Sequence, residues 1–120
     1  MRLLFLLILM NSAIAYGQLA EFSFDSRIHK FEAVKAGVNL EHTFEFTNTG
    51  KEPLIISNYE VDCPCTKAEY SKEPVMPGQK ASIKVSFDTK DKLGWQYRKI
   101  ALYANTKKSP THIEIRVRVD

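Results

Sequence analysis

The chain has 120 residues, 44% hydrophobic and 26% charged, with a formal net charge of +3. That balance supports a packed core, excludes a disordered chain, and gives no footing for nucleic acid or an anionic membrane surface. Two cysteines are too few for a disulfide-built scaffold, so stability has to come from packing.

Arg2 precedes an unbroken apolar run over 3–10, and Ala13-Ile14-Ala15 follows as a small-x-small cleavage site. This is the layout of a secretory signal peptide, assigned here to 1–18. Cleavage after Ala15 is the first choice and after Gln18 the second; an uncleaved N-terminal anchor helix is the alternative. The run is shorter than the roughly 20 residues a membrane span needs, so no stable span is expected. No cysteine follows it to carry a lipid. The remaining 19–120 is one domain's worth of chain, expected in the periplasm or secreted.

Period-two alternation runs through most of this segment. Short strand-like pieces at 21–25 and 30–34 come first. Over 38–47, Val38, Leu40, His42, Phe44 and Phe46 share one face, and Asn39, Glu41, Thr43, Glu45 and Thr47 the other. Asn48-Thr49-Gly50-Lys51 then supplies turn residues. A strand over 53–61 carries Leu54, Ile55, Ile56, Tyr59 and Val61. Pro74 and Pro77-Gly78 punctuate a loop before Ala81, Ile83, Val85 and Phe87, which alternate with lysines and serines. After a loop over 88–94, the aromatic-rich 95–104 reads as a strand. Ile113, Ile115, Val117 and Val119 alternate with polar residues in the last one. About seven short strands without a helical stripe predict an all-β, immunoglobulin-like antiparallel β-sandwich. Lys84, Arg116 and Arg118 fall on outward faces.

The only cysteines lie one residue apart in Cys63-Pro64-Cys65-Thr66. In an extended strand their Cα atoms would be roughly 6.5–7 Å apart and would point to one face. A disulfide needs a bend to bring them within about 4.4–6.8 Å. Proline pushes Cys63 toward extended backbone, so the expected ring is strained and reducible. Four readings stay open: thiols packed at a strand end, a local Cys63–Cys65 disulfide, the start of a copper or zinc site, and capture of an external partner in a mixed disulfide. Of the imidazoles, His42 reads first as a hydrogen-bonded core histidine, and neither His29 nor His112 shows ligand spacing.

Several separated pieces also match a known pattern together. They are Phe24-Asp25 with His29-Lys30-Phe31, His42-Thr43-Phe44-Glu45-Phe46-Thr47-Asn48-Thr49-Gly50, Pro53-Leu54-Ile55-Ile56, Cys63-Pro64-Cys65-Thr66 and Pro74-Val75-Met76-Pro77-Gly78. In order and spacing, 21–119 resembles the bacterial domain-of-unknown-function 1573 family, common in exported proteins of Bacteroidota. The resemblance implies a fold akin to immunoglobulin-like modules of the major-sperm-protein and cilium-associated type, which act mainly in binding or structure. Two positions depart from the family pattern. Pro64 replaces the usual glycine between the cysteines, and Glu32 replaces a frequent glycine after the aromatic at Phe31.

No Ser-His-Asp or Cys-His order, glycine-rich phosphate loop or paired carboxylates give a catalytic constellation or a cofactor site. Trp95, Tyr97 and Tyr103 alternate along one strand; core packing is the first expectation, and an exposed strip for protein or glycan contact the second. The expected role is an exported, non-catalytic module for protein interaction or envelope structure. Its expected partners are other envelope or secreted proteins, met through a sheet edge or end loops. The alternative is periplasmic thiol redox or copper/zinc handling by Cys63 and Cys65; a hydrolase has no motif to support it.

Overall fold

The structure, a computed structural model, describes residues 19–120; the signal peptide expected over 1–18 lies outside the described residues. The eight strands are β1 (Phe22–Phe24), β2 (Ile28–Lys30), β3 (Asn39–Asn48), β4 (Ile56–Val61), β5 (Thr66–Tyr70), β6 (Lys80–Asp88), β7 (Gly94–Ala104) and β8 (Thr111–Val119). They form two four-stranded sheets, ordered β1-β3-β6-β5 and β2-β8-β7-β4. Pairing is antiparallel throughout, except that β2 runs parallel to β8. The expected all-β sandwich is therefore the observed one.

Two differences in the strand count have local causes. The early piece expected at 30–34 sits at Ile28–Lys30, and Val34 makes only an isolated bridge to Val119. The added strand is β5, whose inward residues are only Thr66, Ala68 and Tyr70. The chain crosses from sheet to sheet at every connection except β5–β6 and β7–β8. All four edge strands are short, with three, three, five and six residues in β1, β2, β5 and β4, and β4 carries a register shift between Ile56 and Asn58. Short, bulged edges are poor templates for another strand.

The alternating faces meet in one core. Phe44 and Phe46 on β3 and Ile83, Val85 and Phe87 on β6 face Ile100 and Leu102 on β7 and Ile113, Ile115, Val117 and Val119 on β8, all buried. Burying each such side chain contributes about 1.5–3 kcal/mol, which is what holds the sheets together.

Asn48 closes the corner after β3. It is fully buried. Its Oδ1 accepts from the Glu21 and Gly50 amides at 3.2 and 2.9 Å, and its Nδ2 donates to the Glu52 and Val75 carbonyls at 2.8 and 2.9 Å. One side chain thus ties the N-terminal segment, the β3–β4 turn and the loop before β6. Gly50 serves the same corner by close approach: a Cβ there would meet the Leu19 carbonyl oxygen at 2.2 Å. The Pro77-Gly78 turn does use glycine's freedom, with Gly78 at φ 85° and the Gln79 amide donating to the Met76 carbonyl at 2.9 Å.

Candidate functional site

The cysteines lie in the turn that carries the chain from β4 to β5, not in a strand. The Thr66 amide donates to the Cys63 carbonyl at 3.0 Å, making Cys63-Pro64-Cys65-Thr66 a β-turn with proline at its second position. A φ near −65° is what that position requires. Pro64 therefore supplies the bend that the sequence argument expected it to oppose. The turn draws the Cα atoms to 5.1 Å, and the two sulfurs are bonded in the structure. The Cys65 amide donates to the Cys63 sulfur at 3.1 Å, and the Cys65 carbonyl accepts from the Asp88 amide at 2.9 Å. A ring this small removes little unfolded-chain entropy, roughly 1.6 kcal/mol by loop length. Its contribution to the fold is minor.

The three histidines do not gather around the cysteines. His29 on β2 and His42 on β3 stack across the two sheets, with ring centroids 3.6 Å and planes 7° apart. Phe31 and Phe44 meet them edge-on at 4.6 and 4.7 Å. His42 is half-buried in this aromatic stack rather than held by the hydrogen bonds expected of it. Burial, and then the neighbouring His29, lower its pKa below the ordinary imidazole value. His112 is exposed on the outer face of β8. Among the described residues, no three His, Cys, Asp or Glu side chains are placed to hold a metal.

The outward faces of the two sheets differ. On the first, Glu41, Thr43 and Glu45 of β3 lie beside Lys84 and Ser82 of β6, and Lys84 bridges Glu41 and Glu69 at 3.8 and 3.5 Å. That is a balanced, solvated surface without aromatics. On the second, Trp95 and Tyr97 of β7 are 47% and 57% exposed, so the expectation that they pack in the core is overturned. Their rings stack at 6.2 Å, Lys30 Nζ lies 5.3 Å from the Trp95 ring, and the Arg116 guanidinium lies 5.6 Å from Tyr97. Further along β7, Tyr103 donates to Glu60 at 2.6 Å, a bond that raises the phenol's pKa. An open groove of about 680 Å³ runs beside it, lined in part by Lys99, Ala101 and His112.

Strand parity carried the signal for this face. Ile100 and Leu102 are the inward residues of β7, so the same parity turns Gln96 and Arg98 inward and Trp95 and Tyr97 outward. Gln96 and Arg98 lie at the margin of the sandwich, with Arg98 5.2 Å from the Phe87 ring. Ranking residues by size and aromaticity gave the opposite answer.

Against known proteins, residues 22–119 match the model of a family described as protein of unknown function (DUF1573). No curated protein matches the sequence. Among solved structures, a protein of unknown function from Porphyromonas gingivalis is similar with a TM-score of 0.72 and 15% identity, covering 89% of this chain and 50% of that one. The secreted serine protease VesC from Vibrio cholerae is similar with a TM-score of 0.63 and 17% identity, over 82% of this chain and 23% of that one. The ASH/PapD-like domain 7 of human CEP192 is similar with a TM-score of 0.66 and 8% identity, over 95% of each chain. The chain thus spans half or less of the first two and nearly all of the third, and at these identities the likeness is one of fold.

Proposed function

The chain belongs to the DUF1573 family, and from that premise we propose that it is an exported, non-catalytic β-sandwich module that binds other envelope or secreted proteins through the outer face of its second sheet. The observation that carries this reading is the Trp95–Tyr97 pair, held in the open on the rigid strand β7. Large aromatics with an arginine beside them are the residue types that dominate protein interfaces. The short, bulged edges argue against docking by strand addition, so the face replaces the edges as the binding surface. Export is supported by Arg2, the apolar run over 3–10 and Ala13-Ile14-Ala15, which fit the layout of a signal peptide. A photo-crosslinking residue placed at Tyr97, and separately at Thr43 on the opposite face, tests the reading in the native cell. Protein adducts are expected from position 97 and not from position 43; adducts only from 43, or from neither, refute it.

A second reading rests on the Cys63–Cys65 turn. The bond lies in a turn with both cysteines half-buried, Cys65 against the core, and it contributes little to the fold, so opening it leaves the sandwich intact. A partner's thiolate would attack one sulfur and expel the other as thiolate. The partner's second thiol would then close its own disulfide, leaving Cys63 and Cys65 reduced. Only that reduced pair would offer soft thiolates to copper or zinc. Intact-mass measurement after rapid alkylation in native cells decides it. A reduced fraction supports exchange, and a pair oxidised under every condition refutes it.

A further inference from the structure

We infer that the outer face of the second sheet is selective for an acidic segment of a partner protein, whose carboxylates meet Lys30, Arg116 and Lys99 beside Trp95 and Tyr97. This rests on the reading above that the face is the docking surface, and adds the chemistry of what docks.

Charge is the first argument. The outward residues of β2, β7 and β8 include Lys30, Lys99, Arg116 and Arg118 against Glu114; at the β4 end of the face, Glu60, which accepts from Tyr103, and Asp62 line the groove beside Lys99. Among the described residues, no carboxylate pairs with Lys30 or Lys99. Glu114 is nearly buried and engages Arg116 through Nε. That leaves the Nη donors of Arg116 to face an incoming carboxylate, a geometry suited to a two-pronged contact. Arg118 is matched by Asp120 at 3.0 Å and adds nothing net. The first sheet's outer face shows the contrast, since there Lys84 is already shared by two glutamates.

The second argument is preorganisation. Lys30 against Trp95, Trp95 against Tyr97 and Tyr97 against Arg116 form a run of contacts that favours this arrangement of four long side chains before anything binds. Ordering such side chains on binding costs about 0.5–1.5 kcal/mol each, and these contacts lower that cost.

The same contacts argue for a protein rather than a glycan. Sugar rings stack on open aromatic faces, and these faces are already engaged by each other and by cations. Ring edges and cationic tips remain accessible, which suits acidic and apolar side chains in alternation.

Trp95 is the only tryptophan in the chain, so its fluorescence reports directly on this face. The intact protein is titrated with three probes: a twelve-residue peptide alternating Glu or Asp with Leu and Phe, the same peptide with Gln and Asn for the acids, and polygalacturonate. The inference expects a saturable Trp95 response to the acidic peptide, at least tenfold weaker for the amide peptide and at least tenfold weaker in 0.5 M than in 0.05 M salt. Lys30→Glu with Lys99→Glu is expected to weaken it tenfold again; both sites are exposed and unpaired, and an unchanged melting temperature certifies the fold. No response to the acidic peptide, an equal response to the amide peptide, or tighter binding of polygalacturonate overturns the inference. None of those outcomes touches the docking reading, which stands or falls on the crosslinks from Tyr97.

Discussion

Replacing Asn48 by leucine keeps the bulk of a buried side chain and removes its polar atoms. Four backbone groups then lose a hydrogen bond: the amides of Glu21 and Gly50 and the carbonyls of Glu52 and Val75. The Val75 carbonyl still accepts from the Leu54 amide at 2.8 Å, so it is not left unpaired and its lost bond costs about 0.5–1.5 kcal/mol. The other three are only partly buried, so water can reach them after a small opening, and each costs about 0.5–1.5 kcal/mol. The four losses together come to about 2–6 kcal/mol. A domain of this size has only about 5–15 kcal/mol of stability in all. At about 4–8 °C per kcal/mol, the melting temperature should fall by at least roughly 8 °C. Urea unfolding followed by far-UV circular dichroism measures the same loss, with an unchanged m-value showing that the unfolded state is not the cause. A loss below about 1 kcal/mol would refute the argument that Asn48 ties the three segments together.

The remaining predictions concern neighbouring features. Gly50→Ala places a Cβ against the Leu19 carbonyl oxygen at 2.2 Å, so it should cost about 1–3 kcal/mol and loosen residues 19–21 in hydrogen exchange; an unchanged urea midpoint contradicts it. The lowered pKa of His42 means that the unfolded chain takes up a proton before the folded one does. This contribution is fully present above pH of about 6.5, and it is lost as pH falls from there toward the folded value. His42→Phe should flatten the fall in urea midpoint between pH 7.5 and 5, and an equally steep fall in the variant would remove His42 as its source. Reduction of Cys63–Cys65, or the double change to serine, should lower stability by no more than roughly 1.6 kcal/mol. A loss of several kcal/mol by calorimetry would show that the turn is a structural staple.

The fold was readable because three long strands carry strict alternation. Phe44 and Phe46 on β3, Ile83 to Phe87 on β6 and Ile113 to Val119 on β8 announce both strand and buried face. β5 was not readable: Thr66-Lys67-Ala68-Glu69-Tyr70 has a weak strand former at its centre and two charges, and it is a strand because β6 pairs with it. Asn48 read as a turn residue, because nothing local shows that residues 21, 50, 52 and 75 converge on it. The outward facing of Trp95 and Tyr97 was hidden by a conflict between two rules. Aromatic size pointed Trp95 and Tyr97 inward, whereas the parity set by Ile100 and Leu102 pointed them outward, and parity prevailed because backbone geometry leaves it no freedom. In a strand Pro64 would oppose closure of the ring; in the turn that the chain forms, the same fixed φ favours it.

The central claim is that Trp95 and Tyr97 serve binding rather than folding. The most direct test is the Trp95→Ala, Tyr97→Ala double variant, expressed at native level and compared with the unaltered protein for crosslinked partners and melting temperature. The account predicts loss of the partners captured through this face, with a melting temperature within a few degrees of the parent, since both rings are about half exposed. Partners retained in full, or a melting temperature lowered by more than roughly 10 °C, would contradict it.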